Sequence, residues 1–267
     1  MHTSVESLFA ALWQDYIQIT PSAHAVHQLL AADGEEIIND HVAFRTFDRA
    51  KINLDKLAAH FLALGYEAKG DYDFVAKKLT AKHFEHPNTT YPKVFISELR
   101  VDELSPEAAA IIDGLIAQIE EDAAQATDFL YSGPQWQVSA ADYRALLAES
   151  EYAAWMSAWG FRANHFTVSV NQLQSGLSLV EVNQALKDKG FALNTSGGEI
   201  KGGEDVCLAQ SSTMADRYNV EFCDETLEIP SCFYEFAQRY NLPNGELYHG
   251  FVAASADKIF ESTNAME

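Results

Sequence analysis

The chain has 267 residues, 48% hydrophobic and 21% charged, which is enough for one large domain or two small ones with a packed core. Its 39 acidic and 18 basic residues give a formal charge of −21. That excludes nucleic acid and anionic membrane as expected partners, because binding either needs a basic patch. The densest basic stretch is "AKKLTAK" at residues 76–82.

Three cysteines, Cys207, Cys223 and Cys232, share no metal-type spacing and form no CxxC. A reducing, cytoplasmic location is expected. The N-terminal "MHTSVESLFAALWQDYIQI" reads as an amphipathic helix and not a signal peptide. No apolar run approaches the roughly 18 residues needed to span a bilayer.

In chain order, residues 4–17 read as a helix, and a second starts near Pro21 and ends near "ADG". "NDHVAFRTF" (39–47) follows as a strand. "NLDKLAAHFLALG" is a helix with Asn53 as N-cap and Gly65 as its stop. "YEAKG", "FVAKKLTAKHF" and "KVFISEL" read as three strands. Residues 105–160 change character: "SPEAAAIIDGLIAQIEEDAAQA", "SAADYRALLAES" and "EYAAWMSAWG" are helical, with Ser105 and Ser139 as caps. The first order then recurs. "NHFTVSVN" is a strand and "LSLVEVNQALKDKG" a helix stopped by Gly190. "FALNTSGGEIKGG", "EDVCLAQSS" and "RYNVEF" are strand-like.

The expected fold is therefore α+β, a duplicated β-α-β-β-β module in a single domain. N-terminal helices fill 1–33, the first module 34–104, a helical insert 105–160, the second module 161–226 and a C-terminal closing segment 227–267. The repeat distance is 124 residues, from His41 to His165. Glu98 lies 57 residues after His41, and Glu221 lies 56 after His165.

Each module thus begins with a histidine strand and ends with a glutamate strand. An amphipathic sheet with one solvated face accounts for any of these residues alone. The repeated combination matches two histidines and a carboxylate on one face of a metal, with open positions for a chelating substrate and O₂. Arg45 shares a strand face with His41, about 13 Å away along the chain. Between the two lies room for a short dicarboxylate, whose far end would take a two-pronged hydrogen bond from the guanidinium. An ion pair with Asp40, Asp48 or a neighbouring strand's acid is the alternative for Arg45. Glu98 is either a fourth ligand or the partner of a nearby cation, and stays outside the core site.

"NDHVAFRTF", "NHFTVSV" and "YNVEF" resemble the 2-oxoadipate dioxygenase/decarboxylase family, related to the vicinal oxygen chelate superfamily. The resemblance runs from about residue 4 to the C-terminus. It implies a half-open, mixed-sheet barrel around a metal. It implies His41, His165 and Glu221 as iron ligands and Arg45 as the substrate-binding arginine. "VAASADKIFEST" resembles the family's closing segment, which implies that Ser255 approaches the substrate. The implied activity is Fe(II)-dependent and uses O₂ to convert a 2-oxo dicarboxylic acid, 2-oxoadipate, into 2-hydroxyglutarate and CO₂. Zn, Mn or Ni can stand in for iron in a purified sample.

His24 and His27 share a helix face without a third ligand. His83 and His86 face opposite ways on a strand, and His249 lies near the closing segment. There is no GxSxG, P-loop or GxGxxG, and "SGGEIKGG" has the wrong spacing for either glycine motif, reading instead as a hairpin or rim. A Zn- or Mn-dependent lyase, isomerase or hydrolase would use similar ligands. A non-catalytic binding protein on the same scaffold is the reading outside enzymes.

Overall fold

Apolar and β-branched side chains on both faces of "NDHVAFRTF" make β1 (Asn39–Phe47), which is buried from His41 onward. In the computed structural model, which describes residues 1–31, 34 and 36–263, β1 lies at the centre of an eight-stranded mixed sheet. The first module adds α3 (Leu54–Leu62), β2 (Glu67–Phe74), β3 (Leu79–Glu85) and β4 (Lys93–Leu99). The second adds β5 (Ala163–Ser169), α7 (Leu179–Asp188), β6 (Lys201–Gly203), β7 (Leu208–Ser212) and β10 (Phe233–Arg239). The strand order β2-β3-β4-β1-β5-β10-β7-β6 is two copies of one four-strand unit joined through the antiparallel pair β1–β5. Within each copy the first and last strands run parallel, β1 with β4 and β5 with β10. This is the expected α+β pairing of modules, curled into a half-barrel.

Local signals explain the helices. Asn53 accepts from the Lys56 amide at the start of α3, and Ser178 and Glu181 form a reciprocal capping box on α7. Ser105, Ser139 and Ser150 cap α4 (Pro106–Ile116), α5 (Ala140–Glu149) and α6 (Glu151–Trp159). The N-terminal α1 (Val5–Ile19) and α2 (Pro21–Leu30) pack on the outside of β5 and β10. There the Trp13 ring meets Phe166 edge-on at 5.1 Å, and the Tyr16 hydroxyl donates to the Phe233 carbonyl. The expected end of the second helix at "ADG" falls partly on residues outside the described set. Among the described residues, no helix is long and apolar enough to cross a membrane.

Several expectations change: the helix expected through "SPEAAAIIDGLIAQIEEDAAQA" ends at Ile116, and of "FALNTSGGEIKGG" only Lys201–Gly203 is a strand. "FVAKKLTAKHF" is not one strand: a tight turn at Val75–Lys77, ending in left-handed Lys78, separates β2 from β3. "RYNVEF" is not the last strand of the second module. It forms β8 (Arg217–Glu221), which pairs only with β9 (Thr226–Pro230) in a separate two-stranded ribbon. The ribbon is inserted between β7 and β10. The second module therefore runs on to Arg239, and the boundary expected at 226 falls inside the ribbon.

α6 is held tightly beneath this ribbon. Trp155 and Trp159 donate their indole N–H groups to the Ser231 and Pro230 carbonyls at 2.6 and 2.8 Å. The helix ends at Gly160, whose φ of 58° with ψ of −139° is open only to glycine. A Cβ there would lie 2.3 Å from Pro134 Cα. Gly160→Ala is expected to destabilise the fold by more than about 3 kcal/mol, from backbone strain plus an unrelieved clash. Thermal denaturation of the variant measures it, and an unchanged melting temperature would refute the account.

Candidate metal centre

The face of β5 that alternation makes polar points inward, not to solvent. His165, Thr167 and Ser169 are all buried. β1 and β5 pair with His41 opposite Thr167 and Ala43 opposite His165, so both imidazoles enter the curl from neighbouring strands. Their ring centroids are 5.6 Å apart and nearly perpendicular. On the other side of β5, β10 places Glu235 opposite Thr167 on the same face. Glu235 Oε2 is 3.1 Å from His165 Nε2, and its Oε1 is 3.6 Å from His41 Nε2. One donor atom from each residue falls within a cluster no more than 4.8 Å across.

The surrounding bonds aim these atoms. His41 Nδ1 lies 2.8 Å from Asp40 Oδ1, and His165 Nδ1 lies 3.1 Å from Asn164 Oδ1. Both partners are acceptor oxygens, so each Nδ1 carries the proton and each Nε2 turns a lone pair inward. The Thr167 hydroxyl, 3.1 Å from His41 Nε2, donates to that lone pair. Gln210 donates to Glu235 Oε1 at 2.6 Å, while Glu235 Oε2, although buried, receives no aligned hydrogen bond from the described residues. A buried carboxylate oxygen with no donor among the described residues, 3.1 Å from the inward-turned Nε2 of His165, is what a divalent cation would satisfy. The residues present fit a metal.

Electrostatics point the same way. Burial pushes the His165 imidazole below its ordinary value, which favours the neutral ligand form. Burial alone would raise Glu235, but the His41 and His165 imidazoles and the Gln210 amide outweigh it and hold the carboxyl below its usual range. Asp40 is treated similarly: burial opposes its charge, and Arg239 overrides this to keep it well below the carboxylate range.

A small cavity, of about 20 Å³, adjoins the three residues. Phe95, Phe251, Ile259 and Phe260 make its apolar walls, and Gln210 adds a polar group. The last three wall residues named come from the C-terminal stretch, which includes α8 (Ala253–Ile259).

The sequence model of the 2-oxoadipate dioxygenase/decarboxylase family matches residues 4–247. The chain belongs to this family. A 2-oxoadipate dioxygenase/decarboxylase of Oryza sativa subsp. japonica, described as chloroplastic/amyloplastic, is 39% identical over 275 residues, covering 93% of this chain and 76% of that protein. The crystal structure of a hydroxyglutarate synthase from Oryza sativa in complex with 2-oxoadipate is 35% identical with a TM-score of 0.90, covering 99% of this chain and 94% of that one. A Shewanella frigidimarina protein described provisionally as a hydrolase is 61% identical with a TM-score of 0.92, covering 95% and 100%.

Against the family expectation, His41 and His165 come together as foreseen and Glu221 does not join them. Glu221 is exposed, at the end of β8 in the ribbon. Glu235 stands where it was expected. Glu98 faces away from the cavity and accepts from the Leu54 amide at the start of α3. The position in the first module equivalent to Glu235 is Phe95, two residues beyond the partner of the histidine strand's first contact in each case.

Arg45 is buried, but its partner is none of the acids foreseen. Its NH1 donates to Glu151 Oε1 of α6 at 3.1 Å and its NH2 to the Thr263 hydroxyl at 3.1 Å, while Nε has no partner among the described residues. Tyr152, Trp155 and Phe260 pack on its guanidinium at 4.9–5.5 Å. Ser255 is buried on α8 beside Gly202 and lines a different cleft, whereas its neighbour Ala256 faces the metal cavity. His83 is buried under Phe251, with its ring bonded to the Tyr72 hydroxyl and Glu85. His24, His27 and His86 bond elsewhere, and His249 lines a separate cleft with Lys93. Asp40 enters the sequence reading only as an alternative partner for Arg45, and Asn164 not at all, though the acceptor-before-histidine pair is repeated in "DH" and "NH".

Proposed function

We propose that this chain is a non-haem Fe(II)-dependent dioxygenase that decarboxylates a 2-oxo dicarboxylic acid. 2-Oxoadipate and O₂ give 2-hydroxyglutarate and CO₂, a balanced exchange in which all carbon and oxygen of the reactants reappear in the two products. The observation that carries this is the trio of His41, His165 and Glu235, with both Nδ1 protons committed outward and one carboxylate oxygen unsatisfied. Two imidazoles and one carboxylate suit Fe(II), and leave it positions at which it would bring the 2-oxo acid and O₂ together. Asp40 and Asn164 hold the imidazoles in one tautomer, and Gln210 fixes the carboxylate. Phe95, Phe251, Ile259 and Phe260 keep water from the reacting carbon. Arg45 is the cation on the same strand face as His41 and takes the substrate's distal carboxylate. Three free thiols among the described residues support a reducing, cytoplasmic location.

Protein prepared anaerobically and loaded with Fe(II) is expected to consume one O₂ and release one CO₂ per 2-hydroxyglutarate formed from 2-oxoadipate. A lyase, isomerase or hydrolase on this scaffold would turn over without O₂, and a binding protein would not turn over. Absence of O₂ uptake with every 2-oxo acid in a panel defeats the proposal.

A further inference from the structure

The two histidines are held differently. His165 leans on the neutral amide of Asn164, while His41 leans on Asp40, which is itself gripped by Arg239. Arg239 donates from Nε to Asp40 Oδ2 at 2.6 Å and from NH2 to Oδ1 at 2.8 Å. Both side chains are almost wholly buried. The remaining arm of the guanidinium turns the other way. NH1 donates to the Tyr248 carbonyl at 3.1 Å and to the Gly250 carbonyl at 2.8 Å. Those two carbonyls belong to the chain that delivers Phe251 over the metal cavity. The Phe251 ring meets His41 edge-on at 4.8 Å and also lies 5.3 Å from the Arg239 guanidinium. Its amide is latched to the Tyr72 hydroxyl at 3.2 Å.

We infer that Arg239 is a positioning residue that couples the seating of the 248–251 segment to the aim of His41 at the metal centre. This rests on the metal-centre reading above. The physical basis is the planar fork of the guanidinium. With Nε and NH2 fixed on Asp40, the direction of NH1 is fixed too, so the carbonyls of residues 248 and 250 have one favoured place. When that segment leaves, NH1 loses both acceptors and Asp40 loses the restraint that orients it against Nδ1 of His41. Coupling of this kind is reciprocal: a metal held better when the segment is seated must itself hold the segment in place by the same factor.

Hydrogen exchange with and without Fe(II) under anaerobic conditions tests it, together with Fe(II) affinity by chelator competition. In the wild-type protein, Fe(II) is expected to slow exchange in β5 around His165 and also at the amides of Tyr248 and Phe251, whose acceptors are the Tyr240 carbonyl and the Tyr72 hydroxyl. Arg239→Lys keeps the charge and loses the fork. It is expected to lower Fe(II) affinity up to about 10-fold, the low end of the cost of losing an outer partner of a ligating histidine, because Asp40 stays and loses only its restraint. At saturating Fe(II) its β5 protection remains and its metal-linked protection at 248–251 disappears. Asp40→Asn copies the amide that serves His165, and provides a second variant with the same expected split should the lysine variant fold poorly. Equal metal-linked protection at 248–251 in wild type and both variants overturns the coupling, and so does its absence in an iron-loaded wild type. A wild-type protein that takes up no Fe(II) overturns the metal-centre reading itself.

Discussion

Glu235→Gln is expected to abolish tight metal binding, and Glu221→Gln to leave it unchanged. Glu235 is 1% exposed and supplies the cluster's only negative charge, so its loss removes both a ligand atom and the charge that offsets a divalent cation. The affinity loss should exceed about 100-fold, the upper end of what losing a merely supporting partner costs. The substitution is nearly isosteric. His165→Ala should likewise lose iron. Glu221 is exposed on the ribbon, and its amide variant should bind metal as the parent does. Metal content of anaerobically prepared protein, read beside circular dichroism, separates ligand loss from unfolding. A Glu235→Gln protein with full metal occupancy would falsify the assignment.

Why the histidines were legible in the sequence and the carboxylate was not has a specific cause. His41 and His165 open each module, upstream of any insertion, so the repeat aligns them without gaps. The last strand does not enjoy that protection. From His41 to Phe95 is 54 residues, and from His165 to the equivalent Glu235 is 70. Most of that 16-residue difference is the β8–β9 ribbon. The near-match of 57 and 56 for Glu98 and Glu221 joined an outward-facing residue of β4 to a ribbon residue. "CFYEFAQR" carried the usable signal, an alternating run with one acid among aromatics, and its place after the expected module boundary hid it. The polar face of β5 was legible as a pattern, but alternation alone cannot say whether such a face meets water or a barrel interior. Glu151 on α6 is further from local reasoning still. Its helix and cap follow from "SEYAAWMSAW", and its arrival at Arg45, 106 residues away, depends on tertiary packing.

That arrival changes what Arg45 must do to meet a substrate. Arg45 is 2% exposed, and its guanidinium already faces Glu151, which is about a quarter exposed and can turn to water. Phe260 lies over Arg45 and also walls the metal cavity, and Arg45 itself does not line that cavity. A dicarboxylate held at the metal therefore reaches Arg45 by displacing Phe260 and Thr263 and competing with Glu151. Glu151→Gln removes the competitor and leaves a buried cation short of its counter-charge. The free protein should lose about 1–3 kcal/mol of stability, less than a fully buried broken pair because Glu151 is partly solvated. Substrate should then restore more than it does in the parent. The thermal shift given by 2-oxoadipate is expected to grow in Glu151→Gln, while that given by 2-oxohexanoate, which lacks the far carboxylate, stays the same. Arg45→Lys acts in the opposite sense. A point charge cannot reproduce the fork, so KM for 2-oxoadipate should rise about 10–100-fold, matching the loss of one charged hydrogen bond at about 1.5–3 kcal/mol. With 2-oxohexanoate the parent and the lysine variant should perform alike. If both variants shift the two acids equally, Arg45 is a packing residue held by Tyr152, Trp155 and Phe260, and the distal carboxylate is bound elsewhere.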